Sequence, residues 1–157
     1  MTAPPLDLDL NTLDTSMPLI AEGSIVDLRI EKVEKKDTSA PGVQMLALDT
    51  KTTGPSKAQD GADLGEGIHV FHNLVLAPSG KSTWEIVLRN IAALTQACGL
   101  TLPGTTANEQ WSALVSNPAI LQGQVFRAKL HVAPEGVDKR GKAFRAKNEI
   151  SVFMKAS

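Results

Sequence analysis

Apolar and polar residues alternate over several short stretches of this chain, which is the period-two spacing of β-strands rather than the spacing of helices. Such a spacing places apolar side chains on one face of a strand and polar side chains on the other. Five stretches are predicted as strands on this basis: residues 24–33, 43–50, 68–76, 124–132 and 144–154.

The last two predicted strands form a hairpin with one cationic face. In residues 124–132 the apolar set is Phe126, Ala128, Leu130 and Val132, and the opposite set is Arg127, Lys129 and His131. The same alternation predicts Ile150, Val152 and Met154 inward and Arg145 and Lys147 outward. The glycine-containing segment between the two strands is predicted as a flexible, positively charged loop.

After Pro78 and Gly80 the apolar spacing changes to three and four, which predicts a helix. Residues 82–85 have the form of a capping box, with Ser82 as the N-cap, and Gly99 is expected to end the helix. A shorter helix is predicted over residues 107–116. The predicted buried stripe of the first helix consists of Trp84, Val87, Leu88, Ile91, Leu94 and Cys98.

The predicted order is three strands, two helices and two strands, which is a mainly β class with α. Because no βαβ units occur, a parallel sheet is not expected. Five strands with a helix between strands 3 and 4 indicate an OB-fold-like Greek-key barrel. Such a barrel usually binds its ligand on strands 2 and 3 and on the loops between strands 1 and 2 and between strands 4 and 5. Here those loops are residues 34–42 and 133–142, and both contain basic residues.

Residues 1–22 are predicted as an acidic leader preceding a single domain at residues 23–157. The leader places leucines among Asp7, Asp9 and Asp14. Its alternation suits an edge strand, and it equally suits a mobile tail that docks on its own domain or on a protein partner.

Charge and composition narrow the function classes. Residues 1–66 hold 12 acidic and 6 basic residues, whereas residues 123–157 hold 3 acidic and 8 basic ones. A basic last third suits a polyanionic partner, although solvated strand faces would give the same composition. No apolar run approaches the ~20 residues that span a bilayer, and no signal peptide is evident. With Cys98 as the only cysteine, a cytoplasmic protein without a membrane role is expected.

Catalytic and metal-binding motifs find little support. The sequence Gly-Lys-Ser at residues 80–82 lacks the earlier glycine of a phosphate-binding loop, since position 75 is valine. His69 and His72 would point to opposite faces of a strand, and Cys98 lies on the buried helical stripe. No enzyme activity, cofactor or metal is therefore expected.

Aromatic side chains on the outer face are the remaining candidates, because single-strand binders stack bases on them. Phe71 and Phe144 are the main candidates and His69 and His131 the weaker ones; Phe153 is also predicted to face outward. Burial under the leader or in a subunit interface is the alternative for these rings. The predicted nucleic-acid-binding residues are Lys35, Lys36, Phe71, Arg127, Lys129, Lys139, Arg140, Lys142, Phe144, Arg145 and Lys147.

Several short stretches resemble phage-encoded single-stranded-DNA-binding proteins of the OB-fold type. They are residues 23–26 (Gly-Ser-Ile-Val), 97–99 (Ala-Cys-Gly), 121–125 (Leu-Gln-Gly-Gln-Val) and 147–150 (Lys-Asn-Glu-Ile), together with the Asp/Leu leader. The resemblance implies sequence-independent coating of single-stranded DNA during phage replication or recombination in the host cytoplasm. It leaves open a homo-oligomer and a protein partner of the leader. The chain departs from this family in having few aromatics and no acidic C-terminal tail.

Two other functions fit the same sequence. A structural or assembly protein of the virion type would use the barrel as an interaction module. An inhibitor that mimics DNA through its acidic front is the third hypothesis.

Overall fold

The computed structural model describes residues 11, 19–80, 82–138 and 140–156. Within these residues the elements follow one another with short connections. They are β1 (Ile25–Asp37), β2 (Gln44–Thr52), β3 (Ser56–Lys57), β4 (Asp63–Leu64), β5 (His69–Val75), α1 (Trp84–Ala97), α2 (Ala107–Ser116), a 3₁₀ turn (Pro118–Leu121), β6 (Val125–Ala133), β7 (Gly136–Val137), β8 (Ala143–Phe144) and β9 (Lys147–Met154).

Five strands form one antiparallel sheet in the order β5-β2-β1-β6-β9. The long strand β1 is central and pairs with both β2 and β6. The sheet curls until its edge strands approach each other, and the rings of His72 on β5 and Phe153 on β9 meet edge to face at 5.1 Å. The mainly β class with helices between the third and fourth main strands is confirmed, and the curled sheet is barrel-like but not closed.

The alternation predicted from sequence produces the core. One face of the curled sheet is buried, and α1 lies against β5, β6 and β9. Each fully buried aliphatic side chain stabilises the fold by roughly 1.5–3 kcal/mol relative to exposure. The largest fully buried side chains are Ile20, Leu28, Ile30, Leu46, Leu48, Val70, Leu74, Leu94, Leu114, Leu121, Phe126 and Leu130.

The start of α1 differs from the prediction. Its N-cap is Thr83, whose hydroxyl accepts a hydrogen bond from the Ile86 amide at 3.3 Å, while Ser82 donates to the carbonyl of Ser79. Trp84 is the first residue of α1, and its ring meets that of Trp111 edge to face, with centroids 5.6 Å apart. Trp84 is 49% exposed rather than part of the buried stripe. The predicted end is confirmed, since Gly99 follows α1 with a φ of 67°.

Two β-bulges change which side chains face the core. The pairing of β1 with β2 shifts between Ile30 and Lys32, so Glu31 is an extra residue. The pairing of β6 with β9 shifts in the same way, which makes Ser151 an extra residue in β9.

The bulge at Ser151 overturns part of the predicted alternation. Ile150 packs on the core as expected, but Val152 is 46% exposed and Phe153 packs against the core and the ring of Phe126. The inward predictions for Val152 and Met154 and the outward prediction for Phe153 are therefore wrong, since Met154 pairs with the outward-facing Arg127. One inserted residue moves every following side chain to the opposite face.

Both predicted long loops contain small two-stranded ribbons. In the segment after β2, β3 pairs with β4, and in the last loop, β7 pairs with β8. The basic loop between β6 and β9 is therefore a hairpin arm rather than an irregular connection.

Ile20 and Asn148 form a buried pair of hydrogen bonds, which we call the clasp. The Ile20 amide donates to Asn148 Oδ1 at 2.8 Å, and Asn148 Nδ2 donates to the Ile20 carbonyl at 2.9 Å. The carboxamide of Asn148 thus pairs with the backbone of Ile20 as a neighbouring strand would. Ile20 is fully buried, and it bridges to Ala58 beside β3. The rest of the predicted leader, residues 1–10 and 12–18, lies outside the described residues.

Replacing Asn148 by alanine should lower the free energy of unfolding by about 2–3 kcal/mol, because two buried backbone groups of Ile20 would lose their partners. Urea denaturation measures this change. The control is Asn73→Ala, an exposed asparagine on β5, which should shift stability by no more than about 0.5 kcal/mol. Equal changes in the free energy of unfolding for the two substitutions would show that the hydrogen bonds of Asn148 with Ile20 do not stabilise the fold.

The free energy of unfolding should decrease as the pH is lowered, because His72 is largely buried. Burial lowers the pKa of His72 below its ordinary value of 6.5, and the charge of Glu149 opposes this only in part. The unfolded chain therefore binds more protons than the folded one below about pH 6.5, and the free energy of unfolding decreases as the pH falls. Denaturation at pH 7.5 and pH 5.5 should show a smaller decrease for His72→Gln than for the unchanged protein. An identical decrease in both would refute the assignment.

Candidate nucleic-acid interface

The outer face is the side of the five-stranded sheet opposite the core, and it divides into two halves. The Phe71 half lies on β1, β2 and β5, and its principal residues are Arg29, Lys32, Asp49, Lys51, His69 and Phe71. The Lys129 half lies on β1, β6 and β9, and its principal residues are Ile25, Val125, Arg127, Lys129 and Val152.

Phe71 is the most exposed aromatic side chain among the described residues, at 57% of its surface. Its ring stacks on that of His69, with centroids 5.7 Å apart and planes inclined by 12°. His69 is held in turn by Asp49, whose Oδ1 lies 2.7 Å from His69 Nδ1. The two rings therefore form a flat, fixed surface on an edge strand.

Two lysines lie on the strands beside these rings, with Asp49 between Lys32 and Phe71. Lys51 lies directly opposite His69, and Lys32 lies two strands from Phe71 in the same row. At a strand spacing of about 4.8 Å, that row is about 10 Å wide. Neither lysine has an ion-pair partner among the described residues, whereas Arg29 is paired with Glu31 at 2.8 Å.

The predicted row of cations on the terminal hairpin is interrupted by the chain's own carboxylates. Arg127 faces outward as predicted, but its Nε and Nη2 donate to the two carboxylate oxygens of Asp27 at 2.9 and 3.4 Å. This hydrogen bond raises the pKa of the Arg127 guanidinium. Lys147 Nζ lies 3.5 Å from Glu149 Oε1, and His131 Nε2 lies 3.2 Å from Glu149 Oε2.

Lys129 also faces outward as predicted, and it is exposed. Its neighbours across the sheet are apolar: Ile25 on β1 and Val152 on β9. It is therefore separated from the Phe71 half and belongs to a mixed apolar and cationic surface.

Lys35 and Lys36 lie on β1 rather than in a loop, because this strand runs to Asp37. Lys35 donates to the carbonyl of Val115 at 2.8 Å and so joins the end of β1 to α2. Lys36 lies 3.7 Å from Glu34 and remains half exposed.

The hairpin arm of β7 and β8 carries the remaining predicted residues. Phe144 is 46% exposed, and its ring lies over Gly136, where a Cβ would stand 2.8 Å from Phe144 Cζ. Arg140, Lys142 and Arg145 are exposed, and their side chains make no ion pair with a described residue. Lys139 lies outside the described residues.

Sequence reasoning missed Lys32 and Lys51. Lys51 follows directly on the predicted end of the second strand, and the pairing of β2 with β5 extends the strand to include it. Lys32 was hidden by the bulge at Glu31, because strict alternation from Ile30 turns it inward. The charge of both residues was the only available signal.

Other chemistry has little support in the described part of the chain. It contains no cluster of three or more histidine, cysteine or acidic side chains that could hold a metal ion. None of its helices is both long enough and apolar enough to cross a membrane. Cys98 is half-buried against the core, and burial raises the pKa of its thiol to about 11.

Comparison with known proteins adds no relative: no protein-family model matches the chain, and no curated protein matches it.

Cys98 should react slowly with a thiol reagent such as DTNB at pH 8, because a pKa near 11 leaves on the order of 100-fold less thiolate than an ordinary cysteine. The reaction in 8 M urea supplies the reference rate. Equal rates in the folded and unfolded protein would show that Cys98 is an accessible thiol, and they would reopen its role as a nucleophile.

Proposed function

We propose that this protein binds single-stranded DNA without sequence preference and that it is not an enzyme. The strand order β5-β2-β1-β6-β9, with helices entering between β5 and β6, supports an OB-fold-like barrel that is open between β5 and β9. On that interpretation the Phe71 half is the part of the sheet that OB-folds use for oligonucleotides.

One observation carries the proposal: an exposed phenylalanine is stacked on a fixed histidine on the outer face of the edge strand β5. A monomeric fold gains nothing from exposing such a ring, whereas a base stacked on an aromatic side chain contributes roughly 1–3 kcal/mol to binding. Every base has a flat face, so this contact implies no sequence preference.

The positions of the lysines also favour the Phe71 half as the DNA-binding surface. Lys32 and Lys51 lie on the Phe71 half without carboxylate partners among the described residues. The hairpin arm supplies further cations at Arg140, Lys142 and Arg145, whose side chains have no ion-pair partner in the described part of the chain. Arg127 is a weaker candidate because Asp27 already pairs with its guanidinium. With so few exposed rings, phosphate contacts should dominate the affinity and make it depend on salt.

Phe71→Ala should weaken binding to oligo-dT by roughly 10- to 100-fold at fixed salt, because one stacking contact is lost. Its stability should change by no more than about 0.5 kcal/mol, since the ring is exposed. Fluorescence anisotropy measures the affinity. The matched control is Ile25→Ala, which removes an equally exposed apolar side chain from the Lys129 half. Equal loss in both variants would place the binding surface elsewhere.

Salt dependence tests the two lysines. The double variant Lys32→Gln and Lys51→Gln should flatten the slope of log Kd against log salt by about 1.4, at about 0.7 for each phosphate contact with a single strand. Lys57→Gln is the control, because Lys57 pairs with Asp63 on a separate ribbon.

An unchanged slope in the double variant would exclude these lysines from the interface. Absence of any oligo-dT binding at low salt would refute the function and favour the assembly hypothesis.

A further inference from the structure

The Lys129 half carries an exposed apolar row that the proposed function does not use. Ile25, Lys129 and Val152 are direct cross-strand neighbours on β1, β6 and β9. Ile25 is 59% exposed and Val152 46%, and Val125 adds a third exposed side chain on β6. The row is about 10 Å wide at the usual strand spacing. Exposed apolar side chains grouped in this way mark a contact surface.

The apolar side chains and the single lysine of this row indicate which kind of protein segment would bind to it. An extended segment with apolar side chains on one side would pack on Ile25 and Val152. Acidic residues between those apolar positions would point away from the sheet. The flexible four-carbon stem of Lys129 would carry its ammonium along the side of the docked strand to reach a carboxylate. The complementary ligand is therefore a short strand that alternates leucine-like and acidic residues.

The chain contains one such segment, which is Leu-Asp-Leu-Asp-Leu at residues 6–10. The domain begins at the clasp between Ile20 and Asn148, and Asn148 lies four positions before Val152 on β9. That separation is about 13 Å along the strand, and Val152 faces outward whereas Asn148 is buried, so the chain must also pass around the edge strand β9. Residues 11–18 span up to about 26 Å when extended, which is enough for both. The segment therefore reaches the row without strain, and its tether gives it a local concentration in the millimolar range.

We propose that residues 6–10 dock on the Lys129 half of their own domain, with the leucines on Ile25 and Val152 and with Asp7 or Asp9 at Lys129. The proposal requires no nucleic acid, and it leaves the Phe71 half open. It therefore stands or falls independently of the proposed function.

Chemical labelling of the full chain tests the docking. Acetylation by an N-hydroxysuccinimide ester, read by mass spectrometry, is compared between the unchanged protein and a variant with Leu6→Ser, Leu8→Ser, Leu10→Ser, Asp7→Asn and Asp9→Asn. An unchanged far-UV circular dichroism spectrum of the variant checks that the sheet is intact. The reactivity of Lys129 should rise at least three-fold in the variant, whereas that of Lys32, on the other half, should not change.

Two outcomes would overturn the proposal. Equal reactivity of Lys129 in both proteins would show that the segment does not cover the row. Protection of Lys129 that disappears on dilution from 100 to 1 µM would show that the segment binds a second copy instead of its own domain.

Discussion

The alternation of side chains along β1 is the constraint on which this structure depends. β1 pairs with strands on both sides, so each of its residues either enters the core or joins the outer face. The bulge at Glu31 reverses that assignment once along the strand. As a result Ile30 lies in the core, Val33 packs against it, and Lys32 is placed on the same outer surface as Phe71.

The two halves of the outer face therefore differ in charge and in exposed apolar surface. Carboxylates take up the charge of several cations, most clearly at Asp27 with Arg127 and at Glu149 with Lys147. Exposed ion pairs of this kind contribute only about 0–1 kcal/mol to stability, yet they reduce the charge available to a polyanion. The Phe71 half combines a stacked ring with two lysines that have no ion-pair partner among the described residues, whereas the surface around Lys129 is apolar.

The sequence predicted the elements whose signals are local. Alternation placed the five main strands, and the three-and-four spacing placed α1 and α2. It could not predict the two bulges, because an extra residue is defined only by the partner strand. The spacing within α1 alone placed Trp84 in the buried stripe, whereas its ring contacts Trp111 of α2, and the spacing of one helix does not report a contact with another. The role of Asn148 depends on Ile20, 128 positions away, and no local pattern reports such a contact.

A titration of the ¹⁵N-labelled protein with oligo-dT, followed by NMR chemical shifts at low salt, locates the surface that binds single-stranded DNA. We expect the largest shifts on the amides of β2 and β5 around Lys51 and Phe71; these shifts should extend to Lys32 and diminish as salt is added. Shifts concentrated on α1 and α2, or the absence of any shift at low salt, would contradict the proposal.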